Sequence, residues 1–300
     1  MAIVLALLAA AANALATVLQ RIGVEEVSTE SRSSSSLIAG LLRRPIWFAG
    51  LGLTIASFLL QAIALSLGDL SSVQPVMVTE LLFLAIILGG WFKLTFGTRE
   101  WAGIAGTVAG LGTFLALSSA RGGHQRPDRL NWTLLLIACC GAILLAAILG
   151  ARGTRSWRAA WLGTGGAVAF ALTAAFIKTA ADVWSHGPVG LLLHWQTYGI
   201  AVAGLGGFVM TQHALQAGPV AASQSALLIV NPLSSIVMGI WLFGDRLRTA
   251  GGRGPVEVAA LAAMFASLYL LSHSPLIADD TDEARLSEGR AQMQAEGISR

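Results

Sequence analysis

The sequence predicts an all-α polytopic membrane protein with about nine transmembrane helices, arranged as two inverted-topology repeats. Three observations lead to this fold class: the composition, the length of the apolar segments and an internal repeat. Of the 300 residues, 55% are hydrophobic and 12% are charged, and the mean hydropathy is +0.70. A soluble domain carries about 25% charged residues. So much apolar surface therefore requires a lipid bilayer around it.

Nine apolar segments are long enough to cross the bilayer. The hydrocarbon core is about 30 Å thick and a helix rises about 1.5 Å per residue, so roughly 20 apolar residues span it. The predicted spans are 2–19, 45–67, 70–91, 101–119, 131–150, 159–181, 189–211, 219–243 and 256–273. The first span also has the length of a signal peptide. No Lys or Arg precedes its apolar run, so we expect it to remain as a helix.

Polar segments between the spans predict the orientation of the chain. Residues 20–44 form a long polar loop, residues 120–130 form a second loop, and residues 274–300 form a polar tail. The loops on the side of residues 20–44 carry more Lys and Arg than the loops on the other side. Cytoplasmic loops carry this excess in membrane proteins. The N-terminus is therefore predicted outside and the C-terminus in the cytoplasm, in a plasma or inner membrane.

An internal repeat relates spans 45–119 to spans 159–273. Shifting the chain by 150 residues aligns Ala64-Leu65 with Ala214-Leu215, Gly68 with Gly218, Gln74 with Gln224, Ile86 with Ile236, Gly89 with Gly239 and Trp91 with Trp241. Chance similarity between two helices rich in Gly and Ala is the alternative. The first span, with Ala14-Leu15 and Arg21, also matches the sixth, with Ala171-Leu172 and Lys178. Partners five spans apart cross the membrane in opposite directions, which is typical of secondary transporters.

Several short stretches carry a resemblance to known transporters. They are Trp47-Phe48-Ala49-Gly50-Leu51, the glycine-rich run 103–110, the span with Gly165, Ala171 and Lys178, and Gln212-His213-Ala214-Leu215 followed by Pro232 and Asp245. On these residues, over about 1–273, the chain resembles the EamA-like drug/metabolite transporter superfamily, and more closely the nine-span NIPA-type magnesium transporters. The resemblance implies two inverted copies of a helical unit and a transport function.

One position departs from the NIPA-like pattern, in which an acidic residue commonly closes the third span. Here that region is Trp91-Phe92-Lys93-Leu94, and the nearest acid is Glu100. The second copy has Asp245 at the matching place. This departure argues against magnesium as the substrate.

Glu80 is the acidic residue that lies deep within a predicted span. A carboxylate in the bilayer costs at least a few kcal/mol, so such residues are usually functional. We expect Glu80 to line a central cavity and to bind a proton or a cation. It is a metal ligand only if the chain transports a cation. The alternative is a protonated Glu80 that bonds a neighbouring helix.

Four further polar residues are candidates for contact with substrate. Gln74 and Gln224 are the matched pair of the repeat, and they either contact the substrate or join helices. Asn231 aligns close to the depth of Glu80 and precedes Pro232, which frees a carbonyl one turn earlier. Lys178 either extends to the membrane surface or faces inward, where it binds an anion or pairs with a carboxylate.

The sequence contains no enzyme motif, nucleotide-binding loop or nucleic-acid-binding pattern, so no catalytic residue and no cofactor are expected. The expected partners are the lipid bilayer and a small-molecule or cation substrate. Gly106 and Gly110 form a GxxxG pair, typical of close helix packing within a chain or in a homodimer.

Three functions are compatible with these patterns. The first is a secondary transporter of a small solute, proton-coupled through Glu80. The second is a NIPA-like carrier of Mg²⁺ or another divalent cation, with Gln74, Gln224 and carbonyls near Pro232 as additional oxygen ligands. The third is a membrane scaffold that transports nothing, in which no cavity reaches Glu80.

Overall fold

The chain is helical throughout the part that the computed structural model describes, residues 1–28, 45–91, 97–117, 127–183, 194–218, 220–245 and 254–272. The helices are α1 Ala2–Ser28, α2 Pro45–Leu67, α3 Leu70–Met77, α4 Glu80–Trp91, α5 Thr98–Leu117, α6 Arg129–Gly150, α7 Arg155–Val183, α8 Trp195–Ala217, α9 Val220–Phe243 and α10 Gly254–Ser272. The predicted all-α polytopic fold is confirmed. Residues 20–28 of the predicted loop 20–44 are helical and continue α1 to Ser28. Residues 29–44, most of the predicted loop 120–130 and the predicted tail 274–300 lie outside the described residues.

Six segments of these helices are long and apolar enough to cross a membrane, and two shorter helices are also apolar. The six are Ala2–Gln20, Pro45–Leu67, Leu70–Ile87, Arg129–Gly150, Arg155–Ala181 and Ala222–Phe243, and the shorter two are Trp101–Leu117 and Gly254–Leu270. Helix α8 has 23 residues, but Gln and His near its ends make it less apolar. Its exposed side chains include Val202, Leu205 and Val209, which form an apolar face suited to lipid. About nine membrane helices therefore fit the structure.

The predicted third span, 70–91, is two helices rather than one. Pro75 lies inside α3 and has no N–H, so it cannot bond the carbonyl of Ser71. After Pro75 the helix ends in a tighter turn, in which the N–H and the hydroxyl of Thr79 both donate to the carbonyl of Val76, at 3.0 and 2.7 Å. A side-chain hydroxyl that competes for a backbone carbonyl disturbs a helix. Helix α4 then begins at Glu80.

The helices pack as two groups. Helix α1 packs against α2, α3 and α4, and α7 packs against α8 and α9. The groups meet where α3 contacts α9 and α2 contacts α7, and α5 pairs with α10. Helix α6, between the two groups in sequence, packs on α7. This arrangement encloses a space between the helices of both groups.

The GxxxG pair on α5 packs within the chain. A Cβ added at Gly110 would lie 2.8 Å from the carbonyl oxygen of Ala260 and 2.8 Å from the backbone nitrogen of Met264 on α10. Gly106 faces Ser267, which lies further along α10. At Gly110 the two backbones approach so closely that only glycine fits. The pair therefore has a partner inside the protein.

Candidate functional site

A cavity of about 440 Å³ lies between the two groups of helices. Its lining residues come from α1, α2, α3, α4, α7, α8 and α9. The polar ones are Asn13, Gln61, Gln74, Glu80, Thr173 and Asn231. The remaining wall is mainly apolar, with Phe58, Met77, Phe170 and Leu227 among its residues. The described lining therefore has one acidic group, four side-chain amides and one hydroxyl within a mainly apolar wall.

The break in the third span places Glu80 in the cavity. Glu80 is the first residue of α4 and directly follows the turn at Val78 and Thr79 that interrupts the span. The side chain of Asn13, on α1, forms a hydrogen bond with the Glu80 carboxyl group. This bond orients the carboxyl group, which lies at the cavity wall.

Two polar atoms in the cavity wall have no hydrogen-bond partner among the residues that the structure describes. These are Nε2 of Gln74 and Oδ1 of Asn231. Gln74 is only 3% exposed, and a buried polar group without a partner is costly unless water or a ligand supplies one. The proline after Asn231 cannot donate to the carbonyl of Leu228, which also lines the cavity. The cavity thus offers one donor and one acceptor to a solute or to water.

Gln224 and Lys178 are absent from the cavity lining, so the structure brings together Glu80, Gln74 and Asn231 of the predicted set. The repeat aligns Gln74 with Gln224, yet only Gln74 reaches the cavity. Their proposed contact with substrate remains a prediction.

Lys178 is buried at the turn between α2 and α3. It is 5% exposed, and its ammonium group donates to the carbonyl oxygens of Leu65 at 3.3 Å and Gly68 at 2.6 Å. It also lies 5.4 Å from the centre of the Phe243 ring, within range of a cation–π interaction. The side chain therefore faces inward and does not extend to the membrane surface.

Asp245 binds the other side of the same turn. Gly244, with φ of +67°, reverses the chain after α9, so that the Asp245 N–H donates to the carbonyl of Gly239 at 3.0 Å. Oδ2 of Asp245 accepts from the Ser71 N–H at 3.0 Å. Burial raises the pKa of the Asp245 carboxyl, and the bonds from Ser71 and the charge of Lys178 partly oppose this rise.

Sequence reasoning missed Asn13 and Gln61 as cavity residues. The structure places both in the cavity wall. Their signal was an amide side chain inside an apolar run, whereas Gln74 was identified by its match to Gln224 in the repeat. Since helix contacts and cavity contacts produce the same sequence pattern, only the packing of α1 and α2 distinguishes them.

An aromatic cluster stands beside the cavity. Trp132 on α6 stacks on Phe176 on α7, with centroids 5.1 Å apart and planes at 8°. Trp195, at the start of α8, meets both rings edge-on at 5.3 and 5.5 Å. Such pairs stabilise the contact between three helices beyond the area that they bury.

The described residues contain no group of three or more His, Cys, Asp or Glu side chains that could hold a metal ion. A cation in the cavity would therefore meet Glu80 as its single carboxylate. Its other ligands would be amide oxygens, backbone carbonyls and water, which are ligands that Mg²⁺ accepts.

Comparison with known proteins finds two relatives along most of the chain. The probable magnesium transporter NIPA9 of Arabidopsis thaliana is 26% identical over 294 residues, which covers 92% of this chain and 83% of that protein. An uncharacterised protein of Corynebacterium glutamicum is 28% identical over 279 residues, covering 91% of this chain and 95% of that protein. No protein-family model matches the chain, and neither does any solved structure. The chain is a transporter-like, multi-pass membrane protein with a distant NIPA-type relative.

Proposed function

We propose that the chain transports a cation through the central cavity, with Mg²⁺ as the first candidate. The observation that carries this proposal is the charge of the cavity. Glu80 is its acidic residue, and no Lys, Arg or His lies among the described residues that line it. A wall with one negative charge and several amide oxygens attracts a cation and repels an anion.

The size of the cavity suits a hydrated ion. Mg²⁺ gives up its water reluctantly and usually keeps several water ligands. Six waters occupy about 180 Å³ at roughly 30 Å³ each, and the cavity holds about 440 Å³. Glu80 and the amides of Gln74 and Asn231 would then contact the water shell of the ion rather than replace it. The similarity to a probable magnesium transporter supports this choice of ion, while the lack of an acidic residue at Trp91-Phe92-Lys93-Leu94 argues against it.

A drug/metabolite transporter that moves a small organic solute is the second candidate, with proton coupling through Glu80. The apolar part of the wall favours it, because Phe58, Phe170 and Leu227 offer a hydrated ion little. From the sequence alone this was the first hypothesis. The charge of the cavity and the similarity to a NIPA-type protein support the cation as the first candidate.

The scaffold hypothesis is disfavoured. It expected no cavity beside Glu80, and Glu80 lines one. The contacts of α1 and α7 with their following helices support the inverted repeat, which in transporters forms a site open to either side in turn. The predicted outside N-terminus and cytoplasmic C-terminus remain part of this proposal.

The test is uptake into proteoliposomes that contain the purified chain. Mg²⁺ entry is followed with a trapped magnesium-sensitive dye, and internal pH is followed in parallel while candidate solutes are added. Mg²⁺ uptake above that of empty liposomes supports the first candidate. Proton movement driven by an added solute, without Mg²⁺ uptake, refutes it and supports the second. If neither flux exceeds the control, both transport proposals fail.

A further inference from the structure

We propose that Lys178 and Asp245 form a clamp that closes one end of the cavity by tying the turn between α2 and α3 to the other group of helices. The term clamp here means these two side chains and the backbone that they bind, at Leu65, Gly68 and Ser71. The proposal rests on the transport function, because the closed end must open for a solute to pass. Lys178 and Asp245 are positioning residues in it and do not contact the solute.

Both charges bind the backbone of the same turn. Lys178 donates to the carbonyl oxygens at the end of α2, and Asp245 accepts from an N–H in the first turn of α3. A helix end carries partial negative charge at its C-terminus and partial positive charge at its N-terminus. Each side chain therefore has the sign that its helix end requires. The two charges belong to α7 and to the end of α9, so both links join the two helix groups.

The clamp lies directly beyond the cavity. Ile177, which precedes Lys178, lines the cavity, as does Gln61, one turn before Leu65. Gln74, one turn after Ser71, lines it as well. Several apolar side chains around these positions are fully buried, namely Leu65, Leu70, Val73 and Phe243, whereas Ile63 and Leu67 on α2 are exposed. Separating the clamp would therefore uncover the cavity on the side of the α2–α3 turn.

The clamp is suited to opening because its polar groups are incompletely satisfied. Oδ1 of Asp245 has no hydrogen-bond partner, and Lys178 and Asp245 attract each other without a direct ion pair between them in the described chain. Buried charges of this kind add little net stability, since their loss of hydration offsets their attraction. Water that enters the opened end would solvate both groups. The closed and open states can then lie close in free energy.

The test measures access to the cavity. In a background with Cys139→Ala and Cys140→Ser, the substitution Thr173→Cys places one thiol in the cavity wall, since Thr173 lines it. A charged, membrane-impermeant methanethiosulfonate is applied from each side of the membrane, and the modification rate is recorded. We expect Lys178→Met and Asp245→Asn each to raise the rate from one side about tenfold or more, as expected for losing a charged hydrogen bond that favours the closed state.

Matched controls separate the clamp from general loosening. Arg158 also bonds a helix C-terminus, through Nε to the carbonyl of Gly150 at 3.2 Å, and Asp128 caps the N-terminus of α6. Arg158→Met and Asp128→Asn should leave the rate unchanged. Lys178→Arg, which retains N–H donors, should keep it within a few-fold of the parent. Size-exclusion chromatography confirms that each variant is folded.

The outcomes are distinct. An unchanged rate in folded Lys178→Met and Asp245→Asn overturns the clamp, as does an equal increase in the two control variants. If Lys178→Met does not fold, the result for Asp245→Asn decides alone. A raised rate in a protein that carries neither Mg²⁺ nor a solute would support the clamp and refute the transport function. If the protein carries Mg²⁺ or a solute while the modification rate is unchanged, the transport function is supported and the clamp is refuted.

Discussion

Replacing Glu80 by Gln should weaken the interaction with a cation while leaving the cavity otherwise intact. The amide matches the carboxyl group in size, and its oxygen still accepts from the side chain of Asn13, which bonds Glu80. The substitution therefore removes only the negative charge of the side chain. A carboxylate about 5 Å from a divalent ion contributes about 1.7 kcal/mol at the dielectric constant of water. This corresponds to a roughly 15-fold higher concentration for half-maximal uptake, and to more in a drier cavity.

The assay is the Mg²⁺ concentration dependence of dye-detected uptake in proteoliposomes, with Glu257→Gln as the matched control. Glu257 is also a buried carboxylic acid, 3% exposed, but it lies on α10 outside the cavity lining. We expect Glu257→Gln to behave like the parent. Equal half-saturation in the parent and in Glu80→Gln, with equal amounts of folded protein, would refute the assignment of Glu80.

Three further predictions concern helix packing, the amide groups and pH. Gly110→Ala should destabilise the protein by about 1–3 kcal/mol through overpacking, whereas Gly112→Ala should not, because the space around Gly112 is open. Thermal unfolding in detergent measures both variants, and equal destabilisation would contradict the close packing at Gly110. Asn231→Ala should impair uptake more than Gln224→Ala, since only Asn231 lines the cavity; the reverse order would contradict this placement. Burial raises the pKa of Asp245, so this residue contributes to the free energy of unfolding at low pH, and the contribution is lost as pH rises through the folded-state pKa. Asp245→Asn should therefore make the free energy of unfolding depend less on pH. An unchanged pH dependence would contradict this prediction.

Apolar segment length was sufficient to locate most helices, and it failed where a side chain altered the backbone. The prediction 45–67 coincides with α2, Pro45–Leu67, because the hydrophobic run and its Pro boundary both mark the helix. The prediction 70–91 missed the break before Glu80, since hydropathy does not register a lost hydrogen bond at Pro75 or a hydroxyl that bonds a carbonyl at Thr79.

The candidate site was only partly predictable, because the sequence indicates how deep a residue lies in its span but not the direction in which its side chain points. Glu80 stood out because a carboxylate is costly in the bilayer, whatever the packing around it. Lys178 gave an ambiguous signal, because its position near a helix end allows both an exposed and an inward side chain. The contacts that decide between them, to Leu65 and Gly68, come from residues more than a hundred positions away. No local pattern contains that information.

The stack of Trp132 on Phe176 gives the protein a built-in spectroscopic reporter. Phe176 is followed on α7 by a cavity residue and then by Lys178, so a shift of this helix against α6 and α8 would change the ring geometry. Indole emission depends on the contacts and polarity around the ring. The emission that Trp132→Phe removes from the parent spectrum would therefore follow the motion of α7 in unlabelled protein. Substrate binding and helix movement then become observable on the same sample, without any attached dye.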